Sequence, residues 1–226
     1  MVGWNKRSDI DIALFLKLLQ KFNCDSVLDV AMGTGFHSIN FLQDGYSVTG
    51  IDKSQAMIDV AKKNASKYQV KLNTICTDWT DLRNKTLKQH DCIICLGNSL
   101  ACENDPEKRQ LAIHNWSEVL SDNGIIIIDR RNYEAILKKK NFINTKQQYC
   151  GESVTISPEK IAKDETVFSY TFLDGQSFKL QMFPILDDYI KSINSTIKDI
   201  DNSISKQDNV IKGIRVGLSC LIKKGS

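Results

Sequence analysis

The chain predicts an α/β fold with a mostly parallel sheet, helices on both faces and a small antiparallel insert. Three observations carry the prediction. Short apolar runs alternate with segments of helical periodicity over the first two thirds of the chain, the pattern of a parallel sheet with crossover helices. Polar residues, chiefly Asp, close those apolar runs. After residue 150 the pattern changes to two strand-like segments around Asp174-Gly175, a strong hairpin signal.

The elements follow in order. Ser8 to Phe22 is an amphipathic helix with Ser8 as its candidate cap. Val27 to Val30 is a short apolar strand of the kind buried on both faces. Residues 36–44 have helical spacing, 47–51 form the next strand, and a serine-capped helix runs over 54–67. Strands follow at 71–76, 91–96 and 124–129, with a long helix over 106–120 before the last of these. Residues 165–172 and 177–183 form the hairpin, Pro184 stops it, and 185–193 is helical. A last strand spans 210–222, while the polar stretch 194–209 has no clear assignment. With 226 residues, one compact domain, 1–226, accommodates everything, the insert occupying about 150–184.

The stretch from Val27 to Asp52 carries the most chemistry. A strand, a glycine turn, a helix and a second strand ending in Asp build a nucleotide-binding half of a doubly wound sheet. Gly33 and Gly35 allow unusual dihedrals and close approach of a ligand to the backbone. Asp52 can accept both hydroxyl hydrogens of a ribose. The dinucleotide fingerprint wants a third glycine three residues after the second, and that position is Ser38. Ligands of such sheets sit at the carboxyl ends of the strands, where Asp29, Asp52, Asp78, Leu96 and Asp129 all fall.

Composition narrows the classes. Hydrophobic content of 42%, charged content of 25% and a net charge of +3 are ordinary for a globular domain and too weakly basic to argue for nucleic acid. No apolar stretch is long enough to span a bilayer and no signal-peptide core is evident, so a cytoplasmic protein is expected. Seven dispersed cysteines fit a reducing compartment. Cys92 and Cys95 form a CxxC inside an apolar strand, with no second pair to complete a zinc site, so no metal is expected.

Asp29 before Ala31-Met-Gly-Thr-Gly35 resembles motif I of the class I S-adenosylmethionine-dependent methyltransferases. Three further segments narrow the resemblance: Thr77-Asp-Trp79, Cys95-Leu-Gly-Asn-Ser-Leu-Ala101 and Ile128-Asp-Arg-Arg-Asn-Tyr-Glu134. Together they resemble the glycine N-methyltransferase family, in particular its glycine/sarcosine N-methyltransferases, which make betaine precursors for osmoprotection. The resemblance implies a Rossmann-like class I methyltransferase fold with a seven-stranded sheet. Its cofactor is S-adenosyl-L-methionine, released as S-adenosyl-L-homocysteine.

On that resemblance, Arg7 and the Ala31–Gly35 loop, including Gly33, hold the methionine part of the cofactor. Asp52 binds the ribose, Asp78 and Trp79 flank the adenine, and Leu96 with Gly97 completes the floor. Arg131 pairs with the substrate carboxylate, because a planar fork suits bidentate pairing better than lysine. Asn98 and Tyr133 face the substrate, and Tyr170 and Tyr149 are candidate stabilisers of the transferring charge. Arg130 is expected to face solvent or the sheet. The implied reaction is direct in-line methylation of a neutral amine: glycine, sarcosine or dimethylglycine. The partner is a small amino acid, without nucleic acid or membrane, and the assembly a monomer or small homo-oligomer. Against the family pattern, Met182-Phe183 replaces a tyrosine, Cys102 stands where some members have histidine, and few residues precede the first helix. Two alternatives stay open: methylation of another small amine or carboxylate, and a non-catalytic cofactor binder.

Overall fold

The computed structural model describes residues 9–86, 88–139, 154–196, 200–211 and 214–223. Its first half alternates strand and helix. The series runs β1 (Ser26–Asp29), α2 (Phe36–Gln43), β2 (Ser47–Asp52), α3 (Gln55–Lys67) and β3 (Asn73–Cys76), after an initial α1 (Asp9–Lys21). A 3-10 turn at Trp79–Asp81 leads into α4 (Leu82–Lys85), then β4 (His90–Cys95), α5 (Pro106–Glu118), β5 (Leu120–Arg131) and α6 (Tyr133–Lys139). The second half adds β6 (Val154–Ile161), β7 (Thr166–Phe172), β8 (Ser177–Met182), α7 (Asp187–Thr196), β9 (Ile200–Ile211) and β10 (Ile214–Lys223).

The main sheet has seven strands in the order β3-β2-β1-β4-β5-β10-β9. Five of them, β1 to β5, run parallel, and β10 and β9 add to the far edge in antiparallel sense. The chain steps outward from β1 to β2 on one side and returns to β4 on the other. That reversal is the switch point where such sheets bind ligands. Strand alternation divides the core in two. Leu28, Ile93, Cys95, Ile126 and Ile128 pack under α5, α7 and the small sheet. Val27, Cys92, Ile94, Ile125 and Ile127 pack under α1 and α2. Cys92 and Cys95, three apart, therefore point to opposite faces and cannot share a metal or a disulfide.

A second sheet of three antiparallel strands, β6-β7-β8, forms the insert. The Asp174-Gly175 turn is as expected: Gly175 takes φ +83°, and Asp174 Oδ1 accepts the Gln176 N–H at 3.0 Å. Val154, Ile156, Phe168, Tyr170 and Met182 line its buried face and join the core.

Several expectations need correction. β6 is a third strand in the insert that sequence patterning does not reveal; it is an edge strand with a register shift just after Pro158, where a missing N–H is tolerated. The stretch 200–211 is a full strand, β9, whose polar composition suits an edge strand. Val210 and Ile211 belong to β9, and the final strand starts at Ile214. The long helix ends at Glu118, and β5 extends to Arg131. Ser8, the expected cap of α1, lies outside the described residues, as do Arg7 and Tyr149.

Candidate active site

Asp29, the last residue of β1, is only 2% exposed. Its carboxylate accepts from Ser38 Oγ at 2.7 Å and from the Ala31 N–H at 3.3 Å. Burying a carboxylate is costly unless such bonds replace water. Ser38, standing where a dinucleotide site has glycine, thus holds α2 onto the end of β1. Asp52, at the end of β2, braces the other side of the turn. Its Oδ2 accepts the Gly33 N–H at 3.0 Å and its Oδ1 the Ser54 N–H at 2.8 Å.

The two glycines of the turn do different work. Gly33 adopts φ +54° and a Cβ there would touch nothing within 4 Å, so the turn is bare toward the cavity. Gly35 adopts φ +84° and a Cβ would press on Ala61 Cβ at 3.2 Å, so this glycine lets α2 pack on α3. Gly50, which sequence patterning did not single out, leaves the slot filled by Met32: a Cβ there would lie 2.2 Å from Met32 Sδ.

Above this turn, across the ends of β1 to β4, lies a cavity of about 320 Å3, at the low end of small-ligand sites. Five expected cofactor residues line it: Ala31, Gly33, Asp52, Asp78 and Trp79. Lys53, Ser99 and Cys102 also line it and were not assigned to it. Gly35 and Leu96 are not among the residues that line it. The Leu96 side chain packs in the cluster with Phe15 and Leu19, and its carbonyl accepts from Ser99 Oγ at 2.7 Å.

Asp78 Oδ1 takes the Thr80 N–H at 2.9 Å and the Thr80 hydroxyl at 2.8 Å. Burial works to raise its pKa, but these bonds, with Lys53 and Lys108, hold it below the usual carboxylate range. It is therefore an ionised acceptor. The Trp79 indole N–H donates to the Val30 carbonyl, and its ring meets Trp116 edge-on at 5.7 Å. Trp79 consequently offers a ligand its ring and not its N–H.

The expected substrate-side residues form a second cluster. Gly97 (φ +75°) and Asn98 (φ +60°) reverse the chain after β4. The Asn98 N–H donates to Asp129 Oδ1 at 2.7 Å, and Asn98 Oδ1 accepts the Arg131 N–H at 3.1 Å. Asn98 Nδ2 donates to the Tyr133 hydroxyl at 2.9 Å and lies 3.1 Å from Met182 Sδ. Tyr133 is fully buried, which raises its pKa against the pull of Asn98 and Arg131. The Arg131 guanidinium lies over the Phe168 ring at 4.3 Å and reaches the Tyr170 hydroxyl at 3.4 Å. Tyr170 in turn stacks on Phe178 at 5.0 Å. All four expected residues, Asn98, Arg131, Tyr133 and Tyr170, come together.

Asn98 of this cluster directly precedes Ser99 of the cavity wall, and Cys102 lies at the end of the same turn. Its thiol lines the cavity, burial raises its pKa, and the Lys53 and Arg131 charges oppose that rise. Arg130 departs from expectation: it is 5% exposed and pairs with Glu134 at 3.2 Å and with Asp187. Among the described residues, no group of three or more His, Cys, Asp and Glu is placed to hold a metal, and no helix is long and apolar enough to cross a membrane.

Comparison with known proteins agrees with this geometry. Residues 27–124 match a methyltransferase domain family. A glycine/sarcosine N-methyltransferase of Parasynechococcus marenigrum (strain WH8102) is 35% identical over 199 residues, 87% of this chain and 71% of that protein. The enzyme of the same name from Aphanothece halophytica is 34% identical over 85% of this chain and 73% of its own. An S-adenosylmethionine-dependent methyltransferase structure from Clostridium acetobutylicum ATCC 824 superposes with a TM-score of 0.76 over 95% of this chain and 91% of that one, at 20% identity. The chain belongs to the glycine/sarcosine N-methyltransferase family and is an S-adenosylmethionine-dependent methyltransferase.

Proposed function

We propose that this protein methylates the amine of glycine or sarcosine, with dimethylglycine as a further acceptor, on a cytoplasmic route to betaine. The observation that carries the proposal is Arg131. Its guanidinium is held between the Phe168 ring and the Tyr170 hydroxyl, and its backbone N–H is bound by Asn98, the residue before Ser99 in the cavity wall. A fixed, planar cation beside a cofactor-sized cavity suits a small substrate with a carboxylate. The relatives named glycine/sarcosine N-methyltransferase support the same substrate class.

The residues present fit the cofactor. Gly33 leaves the turn bare, as close backbone approach requires, and Asp52 retains lone pairs beyond the two it gives to backbone N–H groups. Asp52 would accept from the ribose hydroxyls and Asp78 from the adenine amine, with Trp79 as a wall. Ala31 and Gly33 would hold the methionine part, together with Arg7. S-adenosylmethionine supplies a methyl group on a sulfonium, for in-line capture by the neutral amine. Arg131 would fix the acceptor carboxylate, Tyr170 would orient the amine, and Asn98 with Tyr133 would hold Arg131 in place. The amine proton would leave to water. Rate enhancement then comes from proximity and alignment, worth roughly 7 kcal/mol or more in well-oriented reactions. A single small molecule is the partner, handled by a monomer or small homo-oligomer.

Arg131→Ala tests the proposal. Binding of S-adenosylhomocysteine should stay within about twofold while glycine kcat/KM falls by about 100-fold or more. Unchanged glycine turnover in Arg131→Ala would reject the amino-acid reading in favour of another small amine.

A further inference from the structure

The small sheet joins α7 through one short connection, Phe183 to Leu186, and that connection is fastened from two sides. The Phe183 N–H donates to the Ala101 carbonyl at 2.7 Å, and the Phe183 carbonyl accepts from Arg109 Nη2 at 3.3 Å. The Ile185 carbonyl accepts from Arg130 Nη1 at 2.8 Å, and Arg130 Nη2 pairs with Asp187. Asp187 N–H donates to Glu134 Oε1 at 2.5 Å. Arg109 comes from α5, where its Nε also donates to the Glu103 carbonyl at 2.6 Å; Arg130 comes from the end of β5. The two arginines are 6% and 5% exposed.

Apolar contacts would anchor α7 without the cost of burying two cations, since replacing a buried ion pair by well-packed apolar residues is often neutral or stabilising. What a buried guanidinium adds is geometry, because its planar fork fixes several acceptors at set angles. Here the acceptors are the backbone carbonyls on either side of Pro184. Their placement sets where β8 leaves the site, and β8 is locked to β7 by the pairs Thr166 with Met182, Phe168 with Leu180 and Tyr170 with Phe178. The buried face of the insert is therefore one hydrogen-bonded unit with β8. That face supplies Phe168 and Tyr170 to Arg131, and Met182 to Asn98.

We infer that Arg109 and Arg130 are positioning residues that hold the insert so that β7 presents Phe168 and Tyr170 to Arg131. Neither touches the cavity; both act through the Phe183–Asp187 backbone. The kinetic part of the test rests on the glycine reading above, and the exchange part does not.

The test uses the full chain with Arg109→Lys and Arg130→Lys, which keep the charge and lose the fork. S-adenosylhomocysteine affinity should remain within about twofold of wild type, while glycine KM rises about tenfold and kcat changes less. Amide hydrogen exchange over residues 166–182 should quicken about tenfold, with that of α2 unchanged. A merely structural role lowers the thermal midpoint and leaves both KM and the exchange of 166–182 within about twofold; that result overturns the inference. Should a lysine variant fail to fold, Asp187→Asn decides, since it weakens the Arg130 pair and keeps the backbone bond to Glu134. Its exchange over 166–182 should quicken by about threefold or more, and unchanged exchange overturns the inference. Absence of glycine turnover in the wild type would fault the substrate reading alone, leaving exchange to decide the role of the arginines.

Discussion

Asn98 Oδ1 accepts the backbone N–H of Arg131 at 3.1 Å, so the loop after β4 sets the position of the strand end that carries the substrate-side cation. The bond couples the loop after β4 to the end of β5. Asn98 is 8% exposed, and its amide is used on both sides, by Arg131 and by Tyr133. Asn98→Gly keeps the φ of +60° that glycine tolerates and removes only the side chain. It should lose about 1–3 kcal/mol in urea unfolding, because the Arg131 N–H and the Tyr133 hydroxyl lose a partner. A variant as stable as wild type would show that this brace contributes nothing.

Asp52 serves the fold and the cofactor at once. Asp52→Asn leaves one acceptor oxygen where the carboxylate gave two, so either Gly33 or Ser54 keeps its bond and the other loses it. Titration calorimetry with S-adenosylhomocysteine should show affinity reduced about 10- to 100-fold, equal to roughly 1.4–2.8 kcal/mol. Undiminished affinity would remove Asp52 from the ribose site.

His90 gives the protein an acid-labile edge at the start of β4. It is 2% exposed, and neither ring nitrogen has a hydrogen-bond partner among the described residues. Burial lowers its pKa below the ordinary value of 6.5, and Lys88 adds to the effect. The unfolded chain therefore binds the proton more readily than the folded one. The neutral imidazole costs nothing extra above pH 6.5, and stability is lost as pH falls below that value toward the folded pKa. Urea midpoints measured from pH 8 to pH 5 should fall on the acid side, and His90→Leu should flatten that limb. Parallel curves for the two proteins would assign the acid limb to other groups.

Gly35→Ala should destabilise twice over, by the φ of +84° and by the 3.2 Å approach to Ala61 Cβ. The backbone part alone is worth about 1–2 kcal/mol. Adding Ala61→Gly should restore the part due to crowding and leave the backbone strain. Full recovery in the double variant would mean that the positive φ costs nothing here.

The parallel half of the fold is legible in sequence because its information is local. β1, β2 and β4 are short runs with apolar residues, each bounded by a polar residue or a glycine turn, and Asp29 and Asp52 fall at the ends of β1 and β2. The rest depends on distant partners. Met182 meets Asn98 across 84 residues of chain and Arg130 meets Asp187 across 57, and no periodicity encodes either contact. Arg130 resembles any strand-end arginine until α7 arrives to bury it. β6 and β9 were hidden for opposite reasons. Pro158 argues against a strand that tolerates it only at an edge, and the polar run of β9 looks like a loop until it is seen to close the sheet. Gly35 illustrates a subtler gap: the motif marks it as a ligand-facing glycine, and the packing of α2 on α3 gives it another task.

Methyl transfer from labelled S-adenosylmethionine to glycine, sarcosine and dimethylglycine, each offered separately to the full chain, tests the central claim most directly. Label is expected in sarcosine or dimethylglycine from the first two acceptors, and should be lost in Arg131→Ala with S-adenosylhomocysteine binding intact. Tight binding of S-adenosylhomocysteine with no label in any of the three products would contradict it.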